Sequence, residues 1–187
     1  DKPWETTIPN HVSLFEDGGR YRMYYQSRDD IGLRGVLTSG MLAYAESDDG
    51  VEWTKPTIGT VDFEGSTDNN LVYALNVAGD RLVASPIVFK DPSAPPDQRY
   101  KLAFRGNQDG KTCLFGAVSS DGFEWKNLDA PILVDFMSDT HNILGYSEAK
   151  GRYVGYFRGW TTFESGRLHG RRTIAYAETD DFEHWPT

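Results

Sequence analysis

Ser47-Asp48-Asp49-Gly50-Val51-Glu52-Trp53 returns as Ser119-Ser120-Asp121-Gly122-Phe123-Glu124-Trp125 and, more loosely, as Thr179-Asp180-Asp181-Phe182-Glu183-His184-Trp185. Each copy sets a hydroxyl six residues ahead of a Trp and follows an alternating apolar run, with the Asp positions 72 and then 60 residues apart. Self-similarity at a near-fixed period marks a stacked supersecondary unit, so this repeat decides the fold. Stacked β units of this size surround an axis, and an axis is where a ligand binds.

Ahead of each turn lie three short strand patterns. The first unit reads His11-Val12-Ser13-Leu14-Phe15, a Gly18-Gly19 turn, Tyr21-Arg22-Met23-Tyr24-Tyr25, then Met41-Leu42-Ala43-Tyr44-Ala45. The second reads Ser85-Pro86-Ile87-Val88-Phe89, a Pro-rich turn, Tyr100-Lys101-Leu102-Ala103-Phe104, then Cys113-Leu114-Phe115-Gly116-Ala117. The third reads Asn142-Ile143-Leu144-Gly145-Tyr146, a turn at Gly151, Tyr153-Val154-Gly155-Tyr156-Phe157, then Thr173-Ile174-Ala175-Tyr176-Ala177. Gly and Pro between alternating runs supply the backbone angles of hairpins. With a fourth strand leaving each Asp turn, the pattern predicts an all-β protein built of four-stranded antiparallel propeller blades. About three blades are expected, over residues 1–66, 67–135 and 136–187. Three cannot close a ring, so further blades from the rest of a longer chain or from another subunit are expected.

The chain has 187 residues and carries a formal charge of −9, which argues against nucleic acid or an anionic membrane as principal partner. No apolar run reaches the length of a membrane-spanning helix. If a leader has been removed, a secreted or periplasmic bacterial location is favoured. The single Cys113 lies in an apolar strand pattern and reads as a packed thiol.

The repeated Asp49, Asp121 and Asp181 read as turn formers. An Asp in a tight turn bonds backbone two residues on, Gly takes the positive φ, and the Trp packs between sheets. Lys90-Asp91-Pro92 reads as turn chemistry on the same side. Function is expected on the other side, where the starts of the first strands meet the ends of the second strands. There the sequence gathers Arg28, Arg105 and Arg158, together with Trp4, Glu5 and His11, Asp68, Asn69 and Asn70, and Asp139, His141 and Asn142. Arg and Asn forks recognise vicinal hydroxyls or a carboxylate, and Trp4 or Trp160 offers a face for a sugar. The long connection from Gly159 to Arg172, with Glu164, Arg167 and His169, has the length of a binding loop.

These stretches resemble the five-bladed β-propeller glycoside hydrolases of the invertase/arabinanase superfamily, in particular bacterial proteins of the family 32- or 43-like kind. The resemblance rests on Tyr21-Arg22-Met23-Tyr24-Tyr25, Ala45 to Pro56, Asp68-Asn69-Asn70-Leu71-Val72, Pro95 to Lys101, Asp139-Thr140-His141-Asn142 and Arg152 to Arg158. The Ser-x-Asp-Gly-x-x-Trp turn is also similar to the Asp box of sialidases. The signatures Asn-Asp-Pro-Asn-Gly and Glu-Cys-Pro of true invertases are missing. The resemblance implies hydrolysis of a plant or algal oligo- or polysaccharide, with Asp139 and Glu5 as acid/base pair and Asp68 as a third candidate. It implies no cofactor; a structural calcium near His141 is an alternative that one histidine supports weakly.

Hydrolysis of a glycosidic bond needs a protonated carboxyl at the leaving oxygen and an ionised one that activates water or attacks carbon. Two other readings stay open. One is a sugar-binding propeller without catalysis, which rim carboxylates salt-bridged to the Arg residues, with no gap for a bond, would favour. The other is a glycoside phosphorylase, with the Arg cluster holding phosphate.

Overall fold

In a computed structural model of the chain, the described residues are 2–5, 10–27, 40–74, 84–134, 141–160 and 171–186, the side chains of Asn10 and Trp160 excepted. They form twelve strands and one 3-10 turn, Pro96–Gln98. The first sheet runs β1 (Asn10–Asp17), β2 (Arg20–Ser27), β3 (Met41–Ser47), β4 (Leu71–Tyr73), each antiparallel to the next. The second runs β5 (Ala84–Lys90), β6 (Tyr100–Gln108), β7 (Lys111–Ser119), whose outer edge takes two short strands, β8 (Lys126–Asn127) and β9 (Leu133–Val134). The third holds β10 (Ile143–Ser147), β11 (Arg152–Trp160) and β12 (Arg172–Thr179). This is the expected all-β architecture of antiparallel meanders. Strands β1 and β10 both pack on β5, so the first strand of each sheet lies innermost.

Period-two alternation builds the layers, because successive side chains point to opposite faces. Tyr24, Leu42 and Tyr44 of the first sheet meet Leu102, Phe104 and Phe115 of the second. The alternate positions of the second sheet, Ala103, Leu114 and Val118, meet Leu144, Tyr153 and Phe157 of the third. Cys113 is buried in the first of these layers, as a packed thiol should be. On the far face of the third sheet Ile143, Tyr156, Ile174 and Tyr176 stay exposed.

The Asp turns close as their residue types dictate. Asp121 Oδ1 accepts from the amides of Phe123 (2.8 Å) and Glu124 (3.0 Å) and from the Ser119 hydroxyl (2.9 Å). Asp49 repeats this with Val51 (2.8 Å), Glu52 (2.9 Å) and Ser47 (3.0 Å). Gly50 and Gly122 take φ of 76° and 86°, a region where a Cβ is costly. The third copy has Phe182 at that position, and Asp181 instead holds the Glu183 amide (2.9 Å) and the His184 ring (2.7 Å). Trp125, Trp185 and Phe182 are buried. Lys90 ion-pairs with Asp17, and Asp91 accepts from the Ser93 amide (2.9 Å) and Tyr153 hydroxyl (2.5 Å), so this segment is turn and packing chemistry.

One boundary differs from expectation. The first sheet continues to Tyr73, past the division expected at 66/67. The segment after Trp53 folds back on itself, with Phe63 bridged to Ser66 and the Ile58 amide bonded to Asn69 O at 2.8 Å. It then rejoins β3 through the Tyr44 amide and Asn70 O at 2.9 Å. Asp68-Asn69-Asn70 therefore leads into the outermost strand of the first sheet, not toward the innermost strand of the second.

Candidate functional site

Antiparallel pairing brings the start of β1 beside the end of β2 and the end of β2 beside the start of β3, with Asn10 opposite Gln26 and Ser27 opposite Met41. The same holds in the second sheet, where Ala84 lies opposite Arg105. Counting from the Asp turns sets the equivalences: Tyr21 pairs with Ser47, Tyr100 with Ser119 and Tyr153 with Thr179. Five residues beyond each Tyr stand Gln26, Arg105 and Arg158. Gln26, which the sequence reading passed over, is thus the counterpart of the two arginines. Counting from the turn in the sequence alone could have found it. Arg28 lies two residues further on, outside the described residues.

At this end the three sheets converge. The His11 ring meets the His141 ring at 5.2 Å between centroids, edge to face. His11 Nδ1 lies 2.7 Å from Gln26 Oε1, and the same oxygen accepts from the Ser85 amide at 3.1 Å. An amide that faces a backbone N–H must present its oxygen, so His11 Nδ1 carries the proton. Gln26 Nε2 is then a buried donor with no hydrogen-bond partner among the described residues. His11 and Ser85 take φ of 52° and 51°, strained for non-glycine residues, and both stand where the inner-strand register shifts. Burial, with the His11 ring beside it, pushes the His141 pKa down and keeps that imidazole neutral. Fully buried Asn142 accepts from the Arg158 amide at 3.4 Å, and Arg105 and Arg158 are half-buried.

Below this rim, β1, β5 and β10 line a cleft of about 870 Å³. Val12, Leu14, Ile87 and Ile143 form its walls, with His141 among them and Glu16, Lys90 and Glu148 toward the Asp-turn side. The volume lies within the range of small-molecule sites, roughly 300–1,000 Å³.

Glu5 belongs to a separate buried chain of contacts on the outer face of the first sheet. Tyr25 donates to it at 2.5 Å, and Lys55 Nζ lies 2.7 and 2.9 Å from its two oxygens. Burial alone would raise its pKa, but the Lys55 and Tyr25 hydrogen bonds and the Lys55 charge outweigh burial and hold it low. Asn70 gives both amide hydrogens, to the Tyr25 hydroxyl (2.9 Å) and Tyr44 O (2.7 Å), and accepts from the Trp4 indole (2.8 Å). Trp4 is 7% exposed and packs edge-on to Phe63, so its ring is an internal support. Asn69 is equally committed, to Val61 O (2.8 Å), Ser66 O (3.1 Å) and the Leu71 amide (3.0 Å). Asp68 is exposed on the outer edge, accepting from Thr57 at 2.6 Å. The structure thus brings His11, His141, Asn142, Arg105 and Arg158 to one end, with Gln26 and Ser85. It sets Asp68, Asn69 and Asn70 on the outer strand. Trp160 closes β11, its backbone opposite Arg172. Asp139 and the connection holding Glu164, Arg167 and His169 lie outside the described residues.

No protein-family model matches the chain. Over 129 residues, 68% of the chain, it is 30% identical to the uncharacterized protein Rv1502 of Mycobacterium tuberculosis H37Rv and to MT1551 of strain CDC 1551. That match spans 36% of the length of these curated relatives. Among solved structures, a glycosyl hydrolase from Bacteroides ovatus superposes with TM-score 0.60 at 15% identity, over 97% of this chain and 49% of that one. A structure from the GH130 family of mannoside phosphorylases, said to contain hydrolases of β-1,2 mannosidic linkages in Candida mannan, gives 0.59 at 14% identity, over 98% and 49%. An N-acetylgalactosamine deacetylase from F. plautii gives 0.61 at 16%, over 93% and 50%. At these identities the likeness is one of fold, and the chain spans about half of each of these structures.

Proposed function

We propose that this chain contributes the sugar-binding and catalytic end of a carbohydrate-active propeller, acting as a glycoside hydrolase on an oligo- or polysaccharide. The observation that carries this is the meeting of His11, Gln26, Ser85 and His141 from three sheets above one axial cleft. Rigid strand ends with convergent donors over a mostly apolar groove are what sugar recognition requires. Fold likeness to glycoside hydrolases supports the same reading.

Asp139, two residues before His141, is the acid of this proposal. Glu5, held ionised by Lys55 on the outer face of the first sheet, lies apart from the axial cleft, and the second carboxyl is assigned to the rest of the full-length protein. A separation of about 5 Å would give retention and roughly 6.5–9.5 Å inversion. Arg105, Arg158, His11, His141, Asn142 and the spare Gln26 donor would hold the sugar, and Arg28 and the Trp160 ring stay candidates on their sequence positions alone. Asp68 and the committed Asn69 and Asn70 take supporting positions.

Phosphorolysis is the second reading, favoured by the donor-rich rim of Arg105, Arg158, Gln26 and the two histidines. There one carboxyl suffices and phosphate takes the place of water. The test is turnover of a panel of neutral oligosaccharides by the full-length protein, with and without inorganic phosphate. Hydrolysis independent of phosphate and abolished in Asp139→Asn is expected. Phosphate-dependent turnover would select the second reading. Turnover undiminished in Asp139→Asn would overturn the assignment, and sugar binding without turnover would leave a binding propeller.

A further inference from the structure

A second cavity, of about 690 Å³, opens on the opposite face, between the Asp-turn ends of the first and second sheets. Its charged lining is accounted for almost entirely by internal pairs. Asp17 takes Lys90, the Tyr100 hydroxyl and Arg22 Nε (3.1 Å). Glu46 and Asp48 share Arg20, at 2.8 and 3.0 Å. Arg22 also donates to Asp121 O at 2.7 Å and lies over the rings of Tyr100 (5.2 Å) and Phe123 (5.4 Å).

Arg99 is the exception. It is half-buried in the wall, and no carboxylate lies within ion-pair distance of it among the described residues. Its Nε–H is enclosed without an acceptor among the described residues. The backbone beneath it is fixed, since it closes the 3-10 turn and its carbonyl accepts from the Asp91 amide at 2.8 Å. A guanidinium is charged at every accessible pH and presents a planar fork matched to two oxygens. A half-exposed guanidinium set in a cavity wall, with no acid beside it among the described residues, offers its fork to an external oxyanion. The cavity is far larger than an ion, and Tyr44, Tyr100 and Phe123 give it aromatic walls.

We infer that this cavity is a second ligand site, which takes an oxyanion on Arg99. The group is either the carboxylate, sulfate or phosphate of an acidic sugar unit or the free inorganic ion. This site is independent of the axial one and stands or falls without it.

Side-chain 15N–1H spectra of the full chain, following the Arg99 Nε–H signal, test this directly. Glucuronate, inorganic sulfate and inorganic phosphate are titrated, with glucose and with chloride at matched ionic strength as controls. Saturable movement of that signal with one or more oxyanions is expected, with none from glucose. Affinity, read for wild type and variants by isothermal titration calorimetry, should fall at least about tenfold in Arg99→Gln. Arg99→Lys, which keeps the charge but not the fork, should also bind more weakly. Preference for glucuronate would identify an acidic sugar as the source, and response to sulfate or phosphate alone the free ion. No saturable shift, a shift that chloride reproduces, or equal affinity in Arg99→Gln would overturn the inference.

Discussion

Gln26 accepts on its side-chain oxygen the backbone amide of Ser85, 59 residues away in sequence and 3.1 Å away in space. The bond ties the second strand of one sheet to the first strand of the next at the end where His11 and His141 meet. It also fixes which way the amide faces, and through that the His11 tautomer.

Gln26→Met keeps the volume but removes the acceptor. It strands the buried Ser85 amide and should cost about 1–3 kcal/mol, read as a lower urea midpoint at unchanged slope. The His11 Nδ1–H should vanish from 15N spectra of the imidazoles at the same time. A stability loss with that tautomer unchanged would show that the oxygen does not orient the ring.

In the second turn, Asp121→Ala leaves the Phe123 and Glu124 amides without their acceptor, much like the loss of a helix cap. About 1–2 kcal/mol of stability should go, by chemical denaturation. Asp49→Ala removes the same contacts from a more exposed turn and should cost less. Neither variant should alter ligand binding at the axial end, since both turns face away from it.

Two glycines should resist alanine for different reasons. At Gly155 an added Cβ would sit 2.5 Å from Phe157 and 2.7 Å from Trp185, so overpacking of roughly 1–3 kcal/mol is expected. At Gly122 the Cβ would collide with the Tyr24 hydroxyl and φ is 86°, joining a clash to backbone strain. Gly59→Ala, with φ of 84° but open space, carries the strain alone and should be the mildest of the three in thermal melts.

Acid should destabilise this fold through its turns. The Val51 and Glu52 amides with Ser47 hold Asp49 below the usual carboxylate range, and His184 with the Glu183 amide does the same for Asp181. For Asp121 burial pushes upward, but the Phe123, Glu124 and Ser119 hydrogen bonds together outweigh it. Groups with depressed folded pKa values contribute stability that is present above the ordinary carboxylate pKa and is lost as pH falls through the folded values. His141, held neutral in the fold, acts in the same direction, because its protonation in the unfolded chain favours unfolding at lower pH. Melting temperature should therefore drop steadily below about pH 5, and less steeply in a triple Asp→Asn variant of the turns. Equal slopes would move the cause to other carboxylates, Asp17 and Glu5 first.

Much of the fold was legible because its causes are local. A hydroxyl, an Asp and two backbone amides within six residues close each turn wherever the chain lies. The alternation of Leu102, Phe104 and Ala103 assigns their faces through the two-residue strand period alone. Legibility stopped at Leu71-Val72-Tyr73. The run is too short to signal a strand, and only its pairing with Leu42 and Ala43 places it in the first sheet. The rim was partly legible: His11, His141, Asn142, Arg105 and Arg158 were singled out, while Gln26 was missed because an amide in a strand carries no charge signal.

The sequence by itself therefore determined the turns, the strand faces and the end of the molecule where function is sought, since each follows from contacts within a few residues. Only tertiary structure decided that Glu5 is locked to Lys55 and Tyr25, that Asp68 stands on an outer edge, and that Gln26 rather than Arg28 is the counterpart of Arg105. Among the described residues it also left Arg99 without an acid. These depend on register and on which sheets pack together, and distant segments acquire both only when they bury their apolar faces against one another.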